Sequence, residues 1–303
     1  MISTLLFLLG LSVGSFLNVV IDRIPNGRSL GGRSHCESCQ HQLGLIDLIP
    51  IVSFFLLKGR CRYCREKLSL QYPLIELATG IIFVISVPLL LKQINTDLLN
   101  DINYLAGDYQ PVIIGLTVLC LFLVTFLIAL FAIDLKYGVV PDIIVWPAII
   151  LSFTYQLSVT GFRIWSLYIK LKNDTDGLGP YLLRTEYFRN HALLEVKALL
   201  LTVVGGLIIA AFFYLLIVMT KGRGMGFGDV LLGLLIGLIA GFPRVIPAAF
   251  FSFLTGAIVS LILILMQRKH FGQTIPFGPF LILGLVLSFF YGDIFLANYL
   301  GLF

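Results

Sequence analysis

Six side chains in this 303-residue sequence have types and spacings suited to chemistry: four cysteines and two aspartates. The cysteines form two pairs, Cys36-Glu-Ser-Cys39 and Cys61-Arg-Tyr-Cys64, separated by twenty-one residues. Each C-x-x-C turn aims two sulfurs at one ion. Two such turns at this separation can close a tetrahedral four-thiolate site, with zinc the usual occupant. Glycines that favour turns lie nearby, Gly31-Gly32 before the first pair and Gly59 before the second. Two disulfides, a redox C-x-x-C and an iron–sulfur cluster are the competing readings. A reducing compartment disfavours the disulfides, and a redox motif does not explain two matched pairs. Four thiolates leave no open coordination position, so the expected role is structural, folding a loop that has little core of its own. The fifth cysteine, Cys120, sits mid-way along an apolar run and reads as an ordinary small core residue.

The aspartates are Asp134, in Asp134-Leu-Lys-Tyr-Gly-Val-Val-Pro141-Asp142, and Asp229, in Gly226-Phe-Gly228-Asp229. Both lie at the ends of strongly apolar stretches. A carboxylate in or beside a membrane span is costly and is a functional candidate by default. Two carboxylates brought together cannot both ionise cheaply; they share a proton and offer one acid and one base near neutral pH. That pair can activate water against a peptide bond. Taken singly, each aspartate equally suits a helix cap or a water-facing interfacial group. Asp142, after Pro141, reads as the start of a helix. Asp22 and Glu76, at the ends of the first two apolar stretches, are similar; either can simply snorkel or pair with a nearby arginine such as Arg23. Glycines before Asp229 allow close backbone approach. Gly233, Gly237 and Gly241 recur every four residues and permit close helix contact, with a substrate helix or with a helix of the protein itself.

The elements that must position these groups are membrane helices. Of the residues, 58% are hydrophobic and only 12% charged, and the mean hydropathy is +0.99. A water-soluble core cannot hide that much apolar surface, so the bilayer must act as solvent. Eight stretches are apolar enough to cross: 2–22, 74–92, 111–133, 140–159, 195–219, 227–242, 245–266 and 277–298. The expected fold is an all-α polytopic membrane protein of about eight transmembrane helices, with a small cytoplasmic zinc-binding loop domain between the first and second. The organisation is 1–22 as the first helix, 23–73 as the four-cysteine loop, and 74–303 as the helical membrane domain with an outer loop near 160–194. No cleavable signal peptide is evident, because Met1–Ser3 lack a basic region. The net charge of +5 is gathered in loops and reads as an orientation signal, not as a nucleic-acid-binding surface. Arg23, Arg28, Arg33, Lys58, Arg60, Arg62, Arg65 and Lys67 fill the first loop, whereas Asp97, Asp101 and Asp108 face Lys92 alone in the next. Basic turns also occur at Lys221/Arg223 and at Gln267–His270. Lys and Arg in short loops stay cytoplasmic. Asp134 and Asp229 then fall at the same, cytoplasmic, edge of the membrane, and both termini fall outside.

With these motifs in place, the sequence resembles the bacterial type IV prepilin peptidases. Gly14-Ser-Phe-Leu-Asn18-Val-Val-Ile-Asp22-Arg23-Ile-Pro25 is similar to their opening signature. The paired cysteine turns, Lys58-Gly59-Arg60-Cys61, Tyr72-Pro73-Leu-Ile-Glu76-Leu-Ala-Thr79-Gly80, the two aspartate segments and Pro276-Phe-Gly278-Pro279-Phe follow in order. The resemblance implies a GxGD-type membrane aspartyl protease of the bacterial inner membrane. Such enzymes cleave the basic leader from type IV prepilins and type II secretion pseudopilins, then methylate the new N-terminus with S-adenosylmethionine. By motif position it implies Asp134 and Asp229 as catalytic residues, Cys36, Cys39, Cys61 and Cys64 as zinc ligands, and Glu76 in the region associated with methyl transfer. Two positions depart from the family: Leu231 stands where a basic residue is common, and Ile46-Asp47 where asparagines are. No glycine-rich nucleotide fingerprint of soluble methyltransferases is visible. Two other readings are a peptidase without methyl transfer and a proton-coupled transporter. A transporter is expected to carry its carboxylates near the bilayer midplane, not at one edge.

Overall fold

The computed structural model describes residues 2–94, 110–174, 178–222, 225–266 and 275–300. Asp97, Asp101, Asp108, Asp176, Arg223 and Gln267–His270 lie outside the described residues. Within them the chain is helical, with only two isolated antiparallel bridges, His35 to Gln42 and Arg60 to Lys67. The helices are α1 (Ile2–Arg23), the short α2 (Val52–Leu56), α3 (Gln71–Ile94), α4 (Gln110–Tyr137), α5 (Asp142–Lys172), α6 (Leu178–Arg184), α7 (Glu186–Thr220), α8 (Phe227–Ala240), α9 (Val245–Leu265) and α10 (Gly278–Phe295).

All eight apolar stretches are helices, and seven are long and apolar enough to cross a membrane. The exception is α8, with 14 residues. At 1.5 Å per residue it is about 21 Å long, short of the roughly 30 Å hydrocarbon core. It can be short because it is wrapped by the others: Val230, Leu231, Leu232, Leu235, Ile236 and Leu238 are all buried. Leu231, the departure from the family pattern, is one of these core residues and is 5% exposed. On the outward faces of the long helices, Ile114, Ile150, Leu193, Ile208 and Leu261 are each more than half exposed. Such surface is stable against lipid and not against water. The chain is a multi-pass membrane protein.

The stretch 160–194, expected as an outer loop, is largely helical. Helix α5 runs on to Lys172, α6 occupies Leu178–Arg184, and α7 starts at Glu186, its N-terminus capped by the Thr185 hydroxyl, which accepts from the Tyr187 amide. Charged residues lower the hydropathy here without lowering helix propensity, so a membrane-crossing criterion ends the helices too soon.

Small residues set the closest contacts. Gly10 of α1 lies against Gly80 of α3, and Gly14 against the Glu76 backbone, where an added Cβ would stand 2.7 Å from Cα in each case. Gly237 of α8 abuts the Gly206 backbone of α7, Gly233 abuts the Phe213 ring, and a Cβ added to Gly241 would stand 3.4 Å from the Thr202 hydroxyl. The four-residue glycine stripe is therefore filled by α7, one of the protein's own helices, and is not an open groove. One buried core unites α1, α4, α5, α7, α8, α9 and α10, and a second cluster joins α3, α4 and α5.

Candidate active site and metal centre

Asp134 lies in the last turn of α4, 4% exposed amid core residues. Asp229 lies in the first turn of α8, half-buried. The two helix ends meet through their flanking segments. A Cβ on Gly228 would come within 2.7 Å of Val140 Cβ, so the chain after α4 lies directly on the chain before Asp229. The Asp134 charge acts on Asp229 at this separation.

Asp229 also caps its own helix: the Gly226 amide donates to its Oδ2 at 3.2 Å. The capping role weighed from sequence is thus present, and it fixes the carboxylate's direction. Asp134 has different neighbours. The Gly278 backbone amide, at the start of α10, points at its carboxylate, and a Cβ on Gly278 would collide with Asp134 Oδ2. That Oδ2 is buried and has no hydrogen-bond partner. Asp142 is exposed at the first position of α5 after Pro141, where the helix dipole favours a carboxylate.

Asp22 does not pair with Arg23. It accepts from Lys136 Nζ at 2.7 Å and from the Tyr72 hydroxyl at 3.2 Å, linking α1, α3 and α4. Arg23 instead donates to the backbone carbonyls of Ser29, Leu30, Gly31 and Arg33, and so gathers the start of the cysteine loop. Lys136, two residues beyond Asp134, carries no sequence signal for this role. Asn18, a polar residue inside the first apolar run, did carry one, since polar groups in spans are expensive.

The two cysteine turns have the same build. In the first, the Cys36 amide donates to His41 O and the Gln40 amide to Cys36 O. In the second, the Cys61 amide donates to Glu66 O and the Arg65 amide to Cys61 O. Gln40 and Arg65, each just after its second cysteine, take left-handed conformations with φ of 58° and 61°. The four sulfurs all lie within 4.8 Å of one another, positioned to bind a metal ion. Cys36 and Cys61 are buried, and Cys39 and Cys64 face outward. Backbone hydrogen bonding from Cys39 foremost, against the opposing effect of burial, holds the Cys36 thiol down at about 7. Asp47, at one of the departures from the family pattern, braces the turns together: it pairs with Arg62 at 2.7 Å and accepts from the Gly44 amide and the Tyr63 hydroxyl. Glu76, 7% exposed on α3, accepts from the Ile51 amide at 2.6 Å and so ties the loop to the helical bundle.

A family model for the bacterial peptidase A24 N-terminal domain matches residues 8–89, which hold all four paired cysteines, Asp22 and Glu76. A second model, for the type IV leader peptidase family, matches residues 182–261, which hold Asp229. A protein from Stutzerimonas stutzeri called prepilin leader peptidase/N-methyltransferase is 27% identical over 96% of this chain and 91% of its own length. One of the same name from Aeromonas salmonicida is 28% identical with the same coverage. A third, from Myxococcus xanthus, is 51% identical over 26% of this chain and 24% of its own. No solved structure matches the chain.

Proposed function

The chain belongs to the type IV leader peptidase family, and from that we propose that it removes the leader from prepilin-type substrates and methylates the N-terminus so exposed. The substrates are type IV prepilins or type II secretion pseudopilins, presented with their apolar helix in the bilayer and their basic leader in the cytoplasm. The eight basic residues of the cysteine loop support placing that loop, and with it Asp134 and Asp229, on the cytoplasmic side.

Asp134 and Asp229 are the catalytic pair, and the observation that carries this is the unpartnered, buried Oδ2 of Asp134 beside a second carboxylate. Buried polar atoms are seldom left unpaired without a reason. The ionised carboxylate of the pair takes a proton from water, and the hydroxide formed adds to the scissile carbonyl carbon. The protonated partner donates a hydrogen bond to the carbonyl oxygen. As the tetrahedral carbon collapses, the C–N bond breaks and the leaving amine takes the proton gained from water. The Gly278 amide orients Asp134, and the Gly226 amide orients Asp229.

Zinc is the metal of the four-cysteine site. Zn–S bonds of about 2.3 Å at tetrahedral angles put sulfurs about 3.8 Å apart. The Cys36 and Cys64 sulfurs are 3.8 Å apart. The metal is structural, since its four protein ligands leave no position for water. S-adenosylmethionine supplies a methyl group in the second reaction, which belongs to the region around the cysteine loop, Glu76 and the cytoplasmic ends of α1 and α3.

The test is leader cleavage in membranes co-expressing a prepilin. Asp134→Ala and Asp229→Ala are each expected to abolish it while the protein accumulates normally. Near-parental cleavage by either variant refutes the pair. Mass spectrometry of the processed pilin reads methylation separately.

A further inference from the structure

The cysteine loop turns large apolar side chains outward. Its middle is a tight helical turn over Leu45–Leu48, followed by α2. Ser53, Phe54 and Leu57 face inward and, with Tyr72, line the cavity between the loop and the ends of α1 and α3. Val52, Phe55 and Leu56, at i, i+3 and i+4, share the other face of the helix. Phe55 is 69% exposed and Leu56 74%, and Leu45, Ile46 and Ile49 extend the patch, Leu45 being 88% exposed. Contiguous apolar surface of this kind marks a binding or membrane face.

The depth of the patch along the bundle decides what covers it. The Ile51 amide, at the start of α2, donates to Glu76 at 2.6 Å. Glu76 lies five residues beyond Gln71, the first residue of α3, which is about 7.5 Å along the helix axis. Ser15, which lines the same cavity from α1, lies eight residues before the end of α1 at Arg23, about 12 Å in. Helix α2 therefore lies alongside the terminal turns of two membrane helices and does not stand off in water. At this level the outward residues of those helices are apolar too, Phe16 on α1 and Leu74 on α3, both exposed. The patch thus joins the lipid-facing surface of the bundle. The exposed Lys58 and Arg60 follow α2 at once. An apolar face with a basic flank suits an anionic headgroup layer. The patch is also held firmly. Asp47 of the tight turn pairs with Arg62 of the second cysteine turn, and the Phe54 ring packs on Gly59, where an added Cβ would stand 3.1 Å away.

We propose that residues 45–57 are an interfacial anchor, and that its partner is the lipid leaflet on the loop's side of the membrane. Val52, Phe55 and Leu56 enter the boundary between headgroups and acyl chains, and Lys58 and Arg60 lie among the lipid phosphates. Interfacial segments bury their apolar faces about 5–10 Å deep, the level at which Glu76 holds Ile51. The anchoring is independent of either reaction, and it fixes the orientation of the four-cysteine site against the bilayer.

Fluorescence of the full-length, metal-loaded protein in nanodiscs of phosphatidylcholine and phosphatidylglycerol tests this. Trp146 and Trp165, the two native indoles, are replaced by phenylalanine, and Phe55→Trp or Leu56→Trp then supplies the only one. Metal content and the thermal midpoint establish that each variant is folded. Lipids brominated near the headgroup end of the acyl chain are expected to quench each reporter at least twofold, and more than lipids brominated near the methyl end. Aqueous iodide is expected to leave both reporters bright. If iodide quenches either folded reporter and brominated lipid does not, the patch faces water and the anchor is overturned. Shielding from both quenchers overturns it as well, in favour of a second copy of the chain. Shielding from iodide that comes only when a prepilin is added makes the patch a substrate surface, and overturns the anchor too.

Discussion

Gly278 is where the geometry of the carboxylate pair is most exposed to a single change. A methyl group there would collide with Asp134 Oδ2. Gly278→Ala must therefore push the carboxylate away or shift the start of α10. A displacement of about 1 Å in a catalytic group costs on the order of a hundredfold in rate. Leader cleavage by Gly278→Ala is expected to fall tenfold to a hundredfold with the protein still folded, as read by cleavage kinetics and thermal unfolding side by side. The cysteines make a second residue-scale prediction. The Cys36 thiol lies at about 7, below its ordinary value. A depressed thiol is thiolate above that pH and protonated below it, so protons compete with the metal as pH falls through it. Zinc uptake by the metal-free protein, followed by a chromophoric chelator, is expected to weaken steadily below neutrality. Affinity that is flat between pH 8 and 5.5 contradicts the thiolate site.

At the scale of elements, the α7–α8 contact is the one most dependent on small residues. Gly237 and Gly206 meet backbone to backbone, so no side chain can move aside. Gly237→Leu is expected to destabilise the protein by at least about 1–3 kcal/mol, the usual range for overpacked cores. Detergent-solubilised thermal unfolding reads this, and an unchanged midpoint shows that the stripe is not a packing seam. Hydropathy alone made the number and order of the apolar helices legible, because each carries a sustained run of apolar residues. The lengths of α5 and α7 were not legible: their charged ends at Lys170, Lys172, Glu186 and Arg189 continue the helices past the apolar run. The two aspartates stood out as carboxylates at apolar boundaries. Gly278 did not, since its contribution is a backbone amide and a missing side chain, 144 residues away from Asp134. The Asp22–Lys136 pair was likewise hidden, because Arg23 is the nearer cation in sequence and only the tertiary fold sends it to loop carbonyls instead.

The whole molecule divides physically into a helical bundle held by apolar packing and a loop whose four cysteines are positioned to bind a metal ion. Removing the ion should separate their fates. With a strong chelator, the segment between α1 and α3 is expected to become rapidly cleaved by added protease, while the helix content of the bundle persists. If the loop resists proteolysis without metal, its stability comes from elsewhere. The two parts are nevertheless bridged. Lys136, two residues past Asp134, holds Asp22, and Asp22 holds Tyr72 in the wall of the cavity. That short chain of contacts sets a distance, and distance sets local concentration. On the proposed assignment of Asp134, a pilin cut beside it would stay anchored by its own helix in the bilayer, so its new amine would be tethered and would not diffuse away. Tethered groups on short links experience effective concentrations in the millimolar range. The second reaction therefore needs little intrinsic affinity for its acceptor, and a processed but unmethylated pilin should be a short-lived species.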